Sequence, residues 1–231
     1  MKQSFINQVQ GHLIVSCQAL EDEPLHSSFI MARMARAAKQ AGARGLRANS
    51  IVDIQAIQDE TDLPIIGIIK RDYPDSPVYI TPTLKEMRAV AATGVAVVAT
   101  DCTNRNHPGN NSLKEMLAVI HQEYPQTLLM ADTGNLDDVK EADHAGFDII
   151  GTTMHGYTPA TKGMNIADND FEYLKQVLRF TDKPVICEGK IDTPVKAKRA
   201  LELGATAVVV GGAITRPQQI AQKFVDEIEG M

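Results

Sequence analysis

No apolar run in this 231-residue sequence approaches the ~20 residues that a bilayer-spanning helix needs. Its opening, MKQSFINQVQ, has an early lysine with no apolar segment behind it, so neither an anchor nor a secretion signal is expected. Cysteine is scarce. Cys17, Cys102 and Cys187 are odd in number, far apart and without paired spacing, which excludes a disulfide framework or zinc knuckle and predicts buried free thiols in a reducing compartment. No G-x-G-x-x-G follows the first apolar run, and no phosphate-loop or H-E-x-x-H pattern occurs. His107, His121, His144 and His155 therefore read as polar loop or helix residues, and Met31, Met34, Met87 and Met116 as packing. Basic residues are not clustered: 23 Lys and Arg against 29 Asp and Glu leave a net charge of −6, which argues against nucleic acid or an anionic membrane as a partner. The expectation is a cytoplasmic protein with no metal and no cofactor. A small anionic substrate remains open, because a local site can oppose the global charge.

What is present is alternation. Hydrophobic residues make up 44% and charged residues 23% of the chain, enough to bury a sizeable core. Short apolar runs at 13–18, 44–49, 64–70, 95–100, 127–132, 147–153, 184–189 and 206–212 read as strands. Between and after them, helical patterns cover 27–41, 50–58, 83–92, 111–123, 135–144, 168–181, 193–203 and 217–228. In the last of these, Ile220, Phe224, Val225 and Ile228 form an apolar stripe, with Gln222, Lys223 and Glu227 left to face water. Gly42, Gly94, Gly146 and Gly204 each close a helix before a strand, and Pro82, Pro194 and Pro217 fit helix starts. Eight β/α units filling the chain without a linker predict one catalytic domain, residues 1–231, folded as a (β/α)8 TIM barrel rather than an open sheet. Three long excursions, at 71–82, 101–110 and 154–167, follow strand ends and would lie on its catalytic rim.

Read together, the strand ends collect Gln18, Arg47, Lys70, Asp132 and Glu188, then Gly211, Gly212 and Arg216. Alternation places Lys70 on one face with Ile68 and Ile66, Glu188 with Ile186, Asp132 with Met130 and Leu128, and Gln18 with Ser16 and Ile14. Each polar end would then sit above an apolar plug. Strands 3 and 7 are on opposite sides of such a barrel, so Lys70 and Glu188 can approach one carbon from two directions, which suits proton exchange at a stereocentre. A paired polar lid is the competing reading for these two, a structural ion pair for Arg47 and Asp132, and loop satisfaction for Gln18. Gly211 and Gly212, completed by Gly189, stand where barrels commonly cradle phosphate, and Arg216 either joins them or serves the rim. An aldolase using Lys70 as a Schiff base and a non-catalytic phosphometabolite binder remain alternatives.

Across nearly the whole chain, LIVSCQALEDEPLHSSFI (13–30), GLRAN (45–49), GIIKRDY (67–73), YITPT (79–83), ADTGN (131–135), GTTMHGYT (151–158), ICEGKI (186–191) and VVVGGAITRP (208–217) together resemble the bacterial N-acylglucosamine-6-phosphate 2-epimerases, a family also named for N-acetylmannosamine 6-phosphate. The resemblance implies a ribulose-phosphate-binding-like barrel that interconverts the 6-phosphates of N-acetylmannosamine and N-acetylglucosamine in sialic-acid and amino-sugar catabolism. It implies Lys70 as proton abstractor and Glu188 as opposing donor. Gln18, Arg47, Asp132 and Arg216 would position the sugar or its acetamido group, and Gly189, Gly211 and Gly212 would grip the phosphate. The partner so implied is a small phosphorylated amino sugar, and the assembly is left open, a homodimer among the choices.

Overall fold

Backbone turns set the boundaries of the elements. Gly42, Gly94, Gly146 and Gly204 all take left-handed φ values, between 79° and 111°, which lets four helices stop and the chain reverse into the next strand. Pro194 and Pro217 open helices, where a missing N–H costs nothing. Pro82 instead precedes a helix whose cap is Thr83, the side chain of which accepts the Lys85 N–H.

The computed structural model describes residues 2–230. In chain order the elements are α1 (Lys2–Val9), β1 (His12–Cys17), α2 (Ser28–Gln40), β2 (Gly45–Asn49), α3 (Ile51–Glu60), β3 (Ile65–Ile68), α4 (Leu84–Ala91), β4 (Val97–Asp101), α5 (Leu113–Glu123), β5 (Leu128–Asp132), α6 (Leu136–Ala145), β6 (Ile149–Gly151), α7 (Asp168–Phe180), β7 (Val185–Glu188), α8 (Pro194–Glu202), β8 (Ala207–Val210), α9 (Gly212–Thr215) and α10 (Pro217–Glu229). Each strand pairs in parallel with the next, and β8 pairs with β1, closing a (β/α)8 barrel. Among the described residues, no helix is long and apolar enough to cross a membrane.

Alternation along the strands sorts the apolar residues into two cores. Ile14, Ile66, Ile68, Val97, Leu128, Met130, Ile149, Ile186 and Val209 fill the barrel interior. Val15, Leu46, Ile65, Val98, Leu129, Ile150, Val185 and Val208 face the helices, which contribute Met31, Met87 and Met116 to the same core. The fit is close: a Cβ on Gly67 would lie 2.6 Å from Val90 Cγ1, so α4 can reach β3 only over a glycine. Cys17, Cys102 and Cys187 are free and buried, and burial pushes the thiols of Cys17 and Cys187 up to about 12.

Two features depart from the sequence reading. The first is α1, which periodicity did not reveal. It turns Phe5 and Val9 into the interior core and stoppers the barrel at the foot of the strands. The second is α10, whose apolar stripe does not turn inward. Phe224 is 68% and Ile228 64% exposed, Val225 is exposed, and no residue of the helix is buried. The short α9 lies against β1 in its place, and α10 packs mainly on α9.

If α1 is a working part of the core, Phe5→Ala should cost about 3–5 kcal/mol by removing a buried aromatic ring. Urea denaturation checks this, and an unchanged midpoint would mean that the barrel does not depend on its stopper.

Candidate active site

The inward parity that builds the plug also delivers the polar groups above it. Arg47 on β2 stands level with Ile66 of β3, and Asp132 ending β5 and Glu188 ending β7 stand two residues beyond Met130 and Ile186 on the same inward face. Gln18 lies just past β1, and Lys70 two residues past β3. The Lys70 N–H donates to Asn49 Oδ1 at 2.7 Å, and a bridge to Ile80 ties the returning 71–82 segment beside it. Gly211 and Gly212 are not strand residues as expected: β8 stops at Val210, and Gly212 opens α9. Gly189 has φ +112°, a conformation that favours glycine.

One cavity of about 550 Å³ opens at the C-terminal ends of the strands, lined by Gln18, Arg47, Lys70, Glu188, Gly189, Gly211, Gly212 and Arg216; Asp132, expected beside the sugar, is fully buried behind Arg47 and is not a lining residue. Tyr79 and Ile80 from 71–82 and Met154, Tyr157 and Asn165 from 154–167 complete the wall. The third excursion, 101–110, contributes no lining residue. It is held internally and against the 71–82 segment: Arg105 Nη2 pairs with buried Asp101 at 2.5 Å, and the His107 ring lies 2.8 Å from the Pro82 carbonyl oxygen.

Arg47 is the centre of the site. Its guanidinium is 1% exposed and grips Asp132 with both ends, Nη1 to Oδ1 at 3.0 Å and Nη2 to Oδ2 at 2.6 Å. Nη1 also donates to Glu188 Oε2 at 2.7 Å. Thr153 Oγ1 donates to Asp132 Oδ1 at 2.5 Å and lies 3.3 Å from Glu188 Oε2. The expected pair of Arg47 and Asp132 is thus part of a four-member network with Glu188 and Thr153.

This placement sets the charges. Burial pushes the Glu188 carboxyl above the usual range, with Asp132 adding to the rise while Arg47 and Lys70 oppose it. Lys70 moves the other way, down to about 8, first through burial and then through the Arg47 and Arg216 guanidiniums, against Glu188 and Glu23. Arg47 itself loses by desolvation but gains more from its two carboxylates and stays charged. Two buried polar atoms at this site have no hydrogen-bond partner among the described residues, Arg47 Nε and Gln18 Oε1, although Gln18 Nε2 donates to Ser16 Oγ at 2.8 Å. Both belong to residues that line the cavity, and a buried donor or acceptor left unpaired calls for a partner.

Sequence reasoning missed Thr153, Asn49, Tyr79, Tyr157 and Glu23. Thr153 and Asn49 stand at strand ends and were within reach of the same parity argument. Glu23 carries no spacing signal: it sits in the loop between β1 and α2 and meets Arg216 only through the closure of the barrel.

A family model described as "Putative N-acetylmannosamine-6-phosphate epimerase" matches residues 31–230. The chain belongs to this family. Among its relatives are proteins named "Putative N-acetylmannosamine-6-phosphate 2-epimerase": one from Lactiplantibacillus plantarum, 68% identical over 99% of this chain and 100% of its own length, and one from Pediococcus pentosaceus, 65% identical with the same coverage. The solved N-acetylmannosamine-6-phosphate 2-epimerase of Clostridium perfringens is 51% identical and superposes with a TM-score of 0.91, covering 96% of this chain and 95% of that one. The epimerase family thus matches the chain in sequence and in the path of its barrel.

Removing one partner from a buried pair leaves the other charge uncompensated. Asp132→Ala should destabilise the fold by about 3–5 kcal/mol, because the Arg47 guanidinium keeps its desolvation cost and loses its fork. Chemical denaturation followed by circular dichroism measures the loss, and wild-type stability would show that Arg47 does not need Asp132.

Proposed function

We propose that the protein interconverts N-acetylmannosamine 6-phosphate and N-acetylglucosamine 6-phosphate, a step of amino-sugar and sialic-acid catabolism, by proton exchange at C2 of the open-chain sugar. The activity follows the family and its close relatives. Support for the assignment of roles comes chiefly from one observation: an amine pushed down to about 8 and a carboxyl pushed up line the same cavity, on Lys70 and Glu188.

C2 is acidic only when C1 is an aldehyde, so the ring must open first. Neutral Lys70 Nζ then takes the C2 proton and the C–H electron pair delocalises onto the C1 oxygen, giving an enolate. Glu188, in its acid form, returns a proton to the opposite face of C2 and is left as the carboxylate. The reverse reaction uses the same pair with the proton on Lys70. Arg47 Nε is a buried N–H without a protein partner and suits a developing negative charge, while Gln18 Oε1 suits a substrate N–H or O–H. Asp132 holds Arg47 in place. Gly189, Gly211, Gly212 and Arg216 receive the phosphate end, where glycines let backbone N–H groups approach an anion without a Cβ in the way. The whole chain, residues 1–231, serves as one catalytic domain, and pairing of two copies would cover the exposed apolar face of α10.

Incubating either epimer in D₂O should place deuterium at C2 while the other epimer accumulates, as followed by NMR. Lys70→Ala should abolish both events. Glu188→Gln should allow exchange at C2 without inversion. Turnover near the wild-type rate in either folded variant would overturn that residue's role, and absence of exchange and turnover in the wild type would overturn the function.

The pH dependence has a definite sign. Neutral Lys70 with protonated Glu188 and charged Lys70 with ionised Glu188 hold the same number of protons, so both directions share one bell-shaped kcat/KM profile. Its alkaline limb should lie near 8, where the Lys70 ammonium is lost, and its acid limb above the usual carboxylate range. A kcat/KM that keeps rising through the alkaline region would remove Lys70 from proton transfer.

A further inference from the structure

Arg216 is not free to choose its position. It precedes Pro217, at the junction of α9 and α10, and two neighbouring side chains reach back across the seam where β8 meets β1. Thr215 Oγ1, almost fully buried, donates to the Ser16 carbonyl at 2.8 Å. Arg216 donates through Nε to Glu23 Oε1 in a very short bond and through Nη2 to Oε2 at 3.2 Å. Both side chains of the pair are less than a quarter exposed.

Glu23 is itself held from behind. Its Oε2 accepts the Leu20 N–H at 2.6 Å, its own N–H donates to the Leu20 carbonyl at 2.9 Å, and its carbonyl accepts the His26 N–H at 3.0 Å. The carboxylate is therefore fixed by its own turn. Arg216 lines the cavity and Glu23 does not, so the carboxylate occupies the rear edge of the guanidinium and leaves Nη1 for whatever enters. An arginine on an exposed helix junction otherwise carries large rotamer freedom, which it must give up on binding.

We propose that Glu23 is a positioning residue for the reaction: it clamps Arg216 at the cavity mouth so that the free Nη1 edge meets an anionic oxygen of the phosphorylated substrate. This rests on the reading above that Arg216 contacts substrate. Glu23 touches no reacting atom, so its loss should appear chiefly in substrate capture; its charge also holds the Lys70 amine up, so the alkaline limb of the pH profile should move down when it is removed.

The test is a double-mutant cycle in the full-length protein with N-acetylmannosamine 6-phosphate, measuring kcat and KM for Glu23→Ala, Arg216→Ala and the double variant. Glu23→Ala should raise KM about tenfold, the scale of one charge-assisted hydrogen bond, and leave kcat within about twofold when each variant is measured at its own pH optimum. Arg216→Ala should raise KM at least as much, and the double variant no further. Glu23→Gln, which keeps one acceptor, should recover part of the loss, and it carries the same test if Glu23→Ala does not fold. An unchanged or lowered KM in Glu23→Ala beside a raised KM in Arg216→Ala would overturn the clamp alone. A Glu23→Ala effect that persists without Arg216 would also overturn it, since Glu23 would then act through its loop. If Arg216→Ala leaves KM unchanged, the contact between Arg216 and substrate fails and the clamp fails with it.

Discussion

A single buried guanidinium carries the architecture of this site. Arg47 must be paired, because a desolvated positive charge in a barrel is otherwise prohibitive, and its pairing partners are the carboxylates that the site requires in fixed positions. Asp132 takes the bidentate fork and so defines the plane of the guanidinium. That plane points Nη1 at Glu188 and leaves Nε turned to no protein group. The placement of Glu188 and of an unpartnered N–H therefore derives from one guanidinium and its two ion pairs, contributed by three different strands.

The barrel beneath makes those charges effective. An interior filled with Ile66, Ile68, Met130, Ile149 and Ile186 keeps water from solvating the site from below. Low polarity penalises charge on Lys70 and Glu188 alike, moving an amine down and a carboxyl up until their proton affinities approach one another. In the proposed mechanism that convergence serves proton transfer to and from carbon, since neither group then holds its proton too firmly. The hydrophobic plug would in this sense be part of the chemistry.

Much of this was legible in the sequence. Period-two alternation ending in Lys70, Asp132 and Glu188 needs no tertiary information to be read, and the inward set is the one expected. Strand limits were less exact, because Gly211 and Gly212 prolong an apolar run while their backbone already turns into α9. What stayed hidden depends on contacts between distant segments. Glu23 and Arg216 are 193 residues apart and become neighbours only when the last strand closes on the first. The helix α1 has too short an apolar signal to announce itself and gains its place from the open foot of the barrel. The stripe on α10 keeps its helical period but faces outward, since amphipathicity reports that a face seeks cover but not which surface supplies it.

The two ends of the barrel differ in how they are built. At the foot, four corners pass from helix to strand through left-handed glycines at 42, 94, 146 and 204, and no side chain there is asked to do chemistry. At the opposite end strand tips line the cavity together with two long excursions, 71–82 and 154–167. Evolution can therefore rewrite one rim almost without consulting the other: loops above can lengthen or change composition to admit a new metabolite, while the glycine corners below preserve the path of the chain. A lineage descending from this protein would be expected to diverge unevenly along the barrel axis, conservative at its base and inventive at its mouth.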